Sequence, residues 1–229
     1  MKSFYLLFLG LLSIIKILVV PAYGFDTKWQ FVTSYEGVDL YRALEEKEGL
    51  LPFKAIAELN IPFQQIVQAL VDAEQKQTWA PKLKFTTIHN QSSANSFEYS
   101  EYYTTPWPFE DREFLLKGTV IYEKERILFS AVNSTNTNLA DADHTLTNVR
   151  LLKFAIIPLA ETRSRVEFTF SGDLGGWIPD FVKTIIQKKW PVRFIQALEK
   201  HINEEPDLNT ARYQALEKKT IRFPDQPTL

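Results

Sequence analysis

Acid–base and metal chemistry depend on His, Cys, Asp and Glu side chains at defined spacings, and this sequence offers few such groupings. It has no cysteine, which excludes disulfides, thiolate metal sites and a cysteine nucleophile. Its three histidines, His89, His144 and His201, are widely separated along the chain. The run Asp141-Ala142-Asp143-His144 contains metal-compatible ligands, but its spacing fits no established metal-binding loop. We therefore expect no catalytic residue set, no metal and no cofactor.

Glu101 is the acidic residue whose role depends most on its placement. A strand is predicted over Phe97–Thr104, and alternation places Tyr99, Glu101 and Tyr103 on one face of it. If that face is turned inward, Glu101 must pair with another group or bind a polar part of a ligand, because a lone buried carboxylate is costly. If the face is turned outward, the carboxylate is simply solvated. The sequence leaves both interpretations open.

Arg112 lies in the most distinctive stretch, Thr105–Phe114, with the sequence TPWPFEDREF. Two prolines flank a tryptophan there, and an acid–Arg–acid run then enters a predicted strand. An arginine can donate paired hydrogen bonds to a carboxylate or to loop carbonyls. Arg112 is therefore either the anchor of a stiff corner or a ligand for a polar head group.

A long amphipathic helix is predicted after the glycine-rich segment 172–176. Five apolar residues have the spacing of one helix face: Ile178, Phe181, Val182, Ile185 and Ile186. Pro191 is expected to kink or divide the helix, because proline removes a backbone hydrogen bond. The helix is either an ordinary packing element or a movable cover over an apolar cavity. In the second case, Trp177 lies at its entry and the glycines form the hinge.

Basic residues are expected on the outer face of this helix. They are Lys183, Lys188, Lys189, Arg193 and Lys200. Such a face is either simply solvated or attracted to an anionic membrane surface, so a transient membrane contact is a further hypothesis. The net charge of the whole chain is -2, which gives no indication of nucleic-acid binding.

Residues 1–24 have the pattern of a secretory signal peptide. Lys2 supplies a positive start, an apolar run follows, and Ala22 and Gly24 form an A-x-A-like cleavage site. We expect cleavage after Gly24 and export to the periplasm or out of the cell. The alternative is an uncleaved N-terminal anchor, although Lys16 shortens the apolar run.

The remaining elements predict one α+β domain over residues 25–203. A hairpin and a third strand come first, then a helix opening at Pro62 with Asn60 as its cap. Antiparallel strands follow from 85 to 170, and the long helix comes last. This order is typical of helices packed on one side of an antiparallel sheet. Residues 204–229 are expected to be a charged C-terminal extension, an appendage with little periodicity.

Four motifs occur in a fixed order along the chain. They are Trp79-Ala80-Pro81, Pro106-Trp107-Pro108 with Asp111-Arg112-Glu113-Phe114, Thr162–Val166, and Asp173–Pro179. From Trp29 to Asn203 this pattern resembles START domains, the lipid-transfer family related to steroidogenic acute regulatory protein. Some sterol-binding members carry an interior arginine six residues after the motif arginine. That position here is Gly118, so sterol specificity does not carry over.

The resemblance implies a helix-grip fold, in which a curved antiparallel sheet surrounds a long C-terminal helix and encloses an apolar tunnel. It also implies a monomeric, non-enzymatic protein that binds and transfers a lipid or sterol-like molecule, with entry gated at a membrane surface. The tunnel and lid residues would be Tyr99, Glu101, Tyr103, Arg112, Trp177, Ile178, Phe181, Val182, Ile185 and Ile186. One alternative is a cyclase-like or hydrolase-like enzyme of the helix-grip superfamily, with Glu101 as its acid or base. Another is an interaction module whose own aromatic side chains fill the interior.

Overall fold

Strands make up most of the fold. The computed structural model describes residues 28–44, 52–205 and 211–223. The strands are β1 (Trp29–Tyr35), β2 (Val38–Ala43), β3 (Phe53–Leu59), β4 (Leu83–Ser93), β5 (Ser96–Tyr103), β6 (Arg112–Tyr122), β7 (Ile127–Asn133), β8 (Thr145–Leu146), β9 (Asn148–Ala160) and β10 (Arg163–Asp173). They form one curved sheet in the order β1-β2-β3-β10-β9-β7-β6-β5-β4, and all these pairs are antiparallel. The short β8 adds in parallel beside β6.

The helices are α1 (Phe63–Val71), α2 (Ala73–Trp79), α3 (Asp180–Glu204) and α4 (Ala211–Ala215), with a single 3₁₀ turn at Thr137–Leu139. Helix α3 contacts β2 and β3, and α1 contacts β9 and α3. The predicted α+β class, with a curved sheet around a long C-terminal helix, is confirmed. Within the three described ranges, no helix has both the length and the apolar character that a membrane span requires.

The second strand of the first hairpin has the alternation of a strand with one buried face. Val38 and Leu40 are buried, whereas Asp39 and Tyr41, which alternate with them, are half-buried. The turn at Glu36 and Gly37 has positive φ at both residues (50° and 77°), as a two-residue hairpin turn with the twist of its strands requires. Alternation is thus sufficient to orient this part of the sheet.

The early helix differs from the prediction in its start and in its continuity. It begins at Phe63 with Pro62 at the cap position and no capping side chain, so Asn60 is not the cap. The helix also ends at Asp72, whose carboxylate accepts a hydrogen bond from the Gln75 backbone N–H (3.0 Å) and starts α2. Aspartate is among the strongest N-caps, which accounts for a second helix where one was expected.

The polar segment between β7 and β9 contains the 3₁₀ turn and β8, and it is fixed to the sheet. Its main attachment is Glu113, which is fully buried. Its carboxylate accepts hydrogen bonds from the Ser100 hydroxyl (2.5 Å) and the Asp141 backbone N–H (2.7 Å). The loop therefore covers the outer surface of β5 and β6.

Helix α3 is continuous through Pro191, so the proline does not divide it. The second half of the helix carries the buried residues, which include Val192, Phe194, Leu198 and Ile202. Packing of this half against the sheet offsets the loss of one helical hydrogen bond at Pro191. The first half, from Asp180 to Lys189, is half-buried or exposed.

The C-terminal extension packs against the domain where the structure describes it. Leu216 is buried, and the Arg212 guanidinium lies 4.1 Å from the ring centroid of Phe97. Asn95 and Glu217 exchange hydrogen bonds of 2.8 and 3.1 Å between side chain and backbone. Residues 211–223 are therefore part of the packed structure rather than a free appendage. The predicted signal peptide, residues 1–24, lies outside the described residues.

Candidate functional site

A cavity of about 330 Å³ lies beneath the first half of α3. Its walls come from four segments, which are the α2–β4 turn at Pro81 and Lys82, the loop from Thr104 to Phe109, the start of β6, and residues 174–193. Apart from a few polar groups, the wall is made of aliphatic and aromatic side chains. This is the character of pockets that bind small hydrophobic molecules.

Six of the residues predicted for the tunnel and lid line this cavity. They are Tyr103, Arg112, Ile178, Val182, Ile185 and Ile186. Two of the sequence motifs thus meet at one place, because Arg112 comes from the proline-flanked corner and the four aliphatic residues from the α3 region.

Trp177 and Phe181, which were predicted for the tunnel and lid, are not among the residues that line the cavity. Trp177 is 77% exposed and Phe181 is 68% exposed. The reason is the phase of the helix. The stripe that faces the cavity runs through Val182, Ile186 and Lys189, and Phe181 lies roughly 100° around the helix from its neighbour Val182. Phe181 therefore lies at the edge of the lining face, beside Ile185, and remains largely exposed.

Tyr99 and Glu101 lie inside the sheet but are not among the cavity-lining residues. Glu101 is 1% exposed, and its carboxylate lies 2.5 Å from the Lys76 ammonium and accepts a hydrogen bond from the Tyr103 hydroxyl (2.8 Å). Burial, and then the negative charge of Glu101, raise the pKa of Tyr103, which keeps this hydroxyl protonated. The inward interpretation of Glu101 is therefore correct, and its partner is a lysine of the protein itself.

Lys76 is a site residue that sequence reasoning missed. It is 4% exposed, and its ammonium lies about 6 Å from the ring centroids of Phe129 and Phe194. The break at Asp72 changes the helical phase, so the apolar stripe of α1 does not indicate which residues of α2 face inward. The sequence carries no local signal for this buried lysine.

Arg112 is an anchor between two segments of the cavity wall. Its guanidinium donates hydrogen bonds to the backbone carbonyls of Leu174 (3.4 Å), Gly175 (3.3 Å) and Glu110. Burial lowers the pKa of Arg112, while the neighbouring charges of Glu110 and Asp111 oppose this shift. These carbonyl contacts tie the loop before α3 to the first residues of β6.

The glycines before α3 are required by geometry. Gly175 and Gly176 have φ values of 71° and 63°, a region that favours glycine. A Cβ atom on Gly175 would lie 2.5 Å from the carbonyl oxygen of Leu146 in β8. The segment predicted to be a hinge is therefore packed tightly against β8 and held by Arg112.

Gly118 also has a packing explanation. A Cβ atom at this position would lie 2.9 Å from Tyr99 and 3.3 Å from Phe97. The two aromatic rings thus occupy the space into which a side chain at position 118 would extend, and burial raises the pKa of the Tyr99 phenol. At this depth the interior is filled by the protein's own aromatic residues.

Lys189 and Arg193 were expected on an outer basic face, but both line the cavity. Lys82 and Trp190 are further lining residues that the sequence did not single out. Trp190 forms the floor, because its ring contacts those of Tyr103 and Phe114 on the sheet (centroid distances 6.0 and 6.2 Å).

The Asp141–His144 run does not assemble a metal site in the part of the chain that the structure describes. His144 Nδ1 lies 3.2 Å from an Asp141 carboxylate oxygen. No group of three His, Cys, Asp or Glu residues with metal-binding geometry occurs among the described residues.

The buried ion pair gives a first prediction. Lys76→Met leaves the Glu101 carboxylate buried without a counter-ion, so the free energy of unfolding should fall by about 3–5 kcal/mol. Adding Glu101→Gln should recover part of this loss, because the uncompensated charge is then removed. Urea denaturation of the single and double variants measures both effects.

Lys84→Met is the matched control, because it breaks the half-exposed ion pair of Lys84 with Asp111 (3.0 Å). This change should cost no more than about 1 kcal/mol. Equal losses for Lys76→Met and Lys84→Met would contradict the burial of the Lys76–Glu101 pair.

Solved structures resemble this chain at low sequence identity, whereas no family model and no curated protein matches it. Human STARD10 is 14% identical, with a TM-score of 0.71 over 78% of this chain and 74% of that one. Human StAR-related lipid transfer protein 5 is 15% identical, with a TM-score of 0.69 over 77% and 86%. A STAR-related lipid transfer protein from Xanthomonas axonopodis is 17% identical, with a TM-score of 0.65 over 76% and 98%. At these identities the likeness is one of fold, and this chain has the helix-grip fold of StAR-related lipid transfer (START) domains.

Proposed function

We propose that this protein is a START-type carrier that binds one hydrophobic molecule and transfers it, as a monomer, across an aqueous compartment. The observation that carries this proposal is the cavity of about 330 Å³ between the first half of α3 and the corner at 104–109. Its volume lies within the range of about 300–1,000 Å³ that is usual for ligand pockets. Its apolar wall stabilises a bound molecule by roughly 25 cal/mol for each Å² of apolar surface removed from water.

The distribution of aromatic residues supports a carrier over an interaction module with a filled interior. Phe154, Phe168 and Phe194 pack together in the inner part of the sheet, with ring centroids 4.4–5.4 Å apart. These rings fill one half of the interior. The other half, beyond Trp190, keeps the cavity.

The contacts of Glu101 support a mechanism without covalent chemistry. The carboxylate is paired with Lys76 and hydrogen-bonded to Tyr103. Tyr103 lines the cavity and Glu101 does not, so the tyrosine ring separates this carboxylate from a bound molecule. Binding and release need only apolar contact and access through the wall. Two of the similar structures are named as lipid transfer proteins, which agrees with this function.

Filling the cavity tests the binding proposal. Val182→Trp places a large ring in the cavity wall, so affinity for the neutral fluorescent probe N-phenyl-1-naphthylamine should fall about tenfold or more. Fluorescence titration measures the affinity, and native mass spectrometry of the unmodified protein tests for a co-purified hydrophobic molecule.

Thr184→Trp is the control, because Thr184 is exposed on the same helix and does not line the cavity. It should leave probe affinity unchanged. Unchanged affinity in Val182→Trp would show that the cavity is not the binding site.

We further propose that the cavity opens against a lipid bilayer. Trp107 is 92% exposed, Trp177 and Phe181 are also largely exposed, and the three residues lie in two segments that border the cavity. The Trp177 ring contacts Phe109, a lining residue, at a centroid distance of 6.1 Å. Large exposed apolar residues around an opening are costly in water. Tryptophan is enriched where membranes meet water, so we expect these exposed aromatic residues to contact the interface of a bilayer.

Removing two of these side chains tests the membrane contact. Trp177→Ser combined with Phe181→Ser should lower binding to phosphatidylcholine–phosphatidylglycerol vesicles by at least about tenfold, because two large apolar side chains no longer leave water. Vesicle co-sedimentation measures the effect. The control is Phe31→Ser, which removes an exposed aromatic residue from β1. Equal binding by the double variant and the unchanged protein would contradict the proposal.

Export is a separate proposal, supported by the charged start, the apolar run and the small residues at Ala22 and Gly24. It provides the aqueous compartment in which a carrier would work. The mature protein isolated from its own cells should begin at Phe25, as N-terminal sequencing or intact mass would show. A mature chain that retains residues 1–24 would favour the uncleaved anchor.

A further inference from the structure

The residues that line the cavity include four cations and no carboxylate. The cations are Lys82, Arg112, Lys189 and Arg193. The remaining lining residues are aliphatic or aromatic apart from two threonines. A cavity with this composition has a neutral, apolar interior and a positive potential at its edge.

Three of these cations are not engaged by the protein's own acidic groups. Arg112 is buried and its donors go to backbone carbonyls. Lys82, Lys189 and Arg193 are exposed, and none of them forms an ion pair with a carboxylate among the described residues. The hydrogen bond and the charge of Glu36 raise the pKa of the Tyr35 phenol, and the positive charge of Arg193 opposes this shift.

The nearby acidic side chains have other partners. The Asp111 carboxylate accepts a hydrogen bond from the Thr105 backbone N–H (2.8 Å) and lies 3.0 Å from the Lys84 ammonium. The Glu36 carboxylate accepts a hydrogen bond from the Gln196 side chain. The positive charge at the cavity edge therefore remains available to an external anion.

The three cations come from two segments of the cavity wall. Lys189 and Arg193 lie one helical turn apart on α3, so their side chains share one face. Lys82 is on the α2–β4 turn, and its carbonyl accepts a hydrogen bond from the Thr104 backbone N–H (2.9 Å), which fixes this turn to the corner loop. Both segments therefore contribute positive charge to the cavity wall.

We infer that the carried molecule is an amphiphile with one apolar chain and an anionic head group, a carboxylate or a phosphate. The inference rests on the carrier function proposed above and adds the class of ligand. The chain would occupy the space between Val182, Ile186 and Trp190, and the head group would lie among Lys82, Lys189 and Arg193. A single chain fits better than two, because 330 Å³ is near the lower end of the range of about 300–1,000 Å³ for ligand pockets.

Three probes that share one alkyl chain test the head-group preference. Dodecanoate, dodecyl phosphate and the neutral dodecanol are titrated into the full mature protein by calorimetry at pH 8. Both anions should bind about tenfold or more tightly than dodecanol, since three exposed charge contacts act together. The difference should shrink in 1 M NaCl, where the Debye length falls to about 3 Å.

Charge removal at the opening gives the decisive comparison. The triple variant Lys82→Gln, Lys189→Gln, Arg193→Gln should lose the preference for anions and bind all three probes with similar affinity. The matched control is Lys183→Gln, Lys188→Gln, Lys200→Gln, which removes the same number of positive charges from residues of α3 outside the lining. This control should keep the preference for anions.

Each alternative outcome has a definite meaning. Equal affinities of the native protein for dodecanol and both anions would overturn the inference and leave the carrier function intact. Failure of the native protein to bind any of the three probes would contradict the carrier function, and the inference with it. In a third outcome, the triple variant keeps its preference for anions but no longer binds phosphatidylglycerol vesicles. The cations would then act on the membrane surface, and the inference would be wrong.

Discussion

The contact of Arg112 with the carbonyls of residues 174 and 175 ties the segment that leads into α3 to the start of β6. Hydrogen bonds from a charged donor contribute about 1.5–3 kcal/mol each, more than the usual neutral pair. Its neighbours in sequence have parallel roles. Asp111 holds the backbone of the corner loop at Thr105, and Glu113 holds the loop between β7 and β9 at Asp141. Three consecutive charged residues thus attach three separate segments to the start of β6.

This arrangement divides α3 into two halves with different energetics. The half after Trp190 is buried among aromatic rings, beside the Lys76–Glu101 pair, and removing it would expose a large apolar area. The half before Trp190 covers the cavity and has few buried side chains. Separation from the wall costs least for the element with the smallest buried area. We therefore expect the cavity to open by movement of the first half of α3 and the corner loop. Arg112 keeps residues 174–175 in place.

The sequence predicted the sheet well because alternation is a local property. In β3, Phe53, Ala55 and Ala57 are buried as their spacing indicates. Properties that depend on the relative placement of distant elements were predicted less well. The pairing of Lys76 with Glu101 requires α2 to pack at one angle, and nothing within α2 specifies that angle. The packing of Leu216 depends likewise on a surface formed by residues far away in sequence.

The errors on α3 have a single physical source, since a helix face is defined only to within about one residue by apolar spacing. Phe181 was assigned inward because it is apolar, and Lys189 and Arg193 outward because they are charged. A long cationic side chain can nevertheless cover apolar surface with its aliphatic stem while its charge remains in water. At the edge of a cavity, this property places apolar stems on the wall and positive charge at the opening. Because Lys189 and Arg193 are charged, the sequence pattern assigned them to the solvent face. It therefore did not indicate that they line the cavity and place positive charge at its opening.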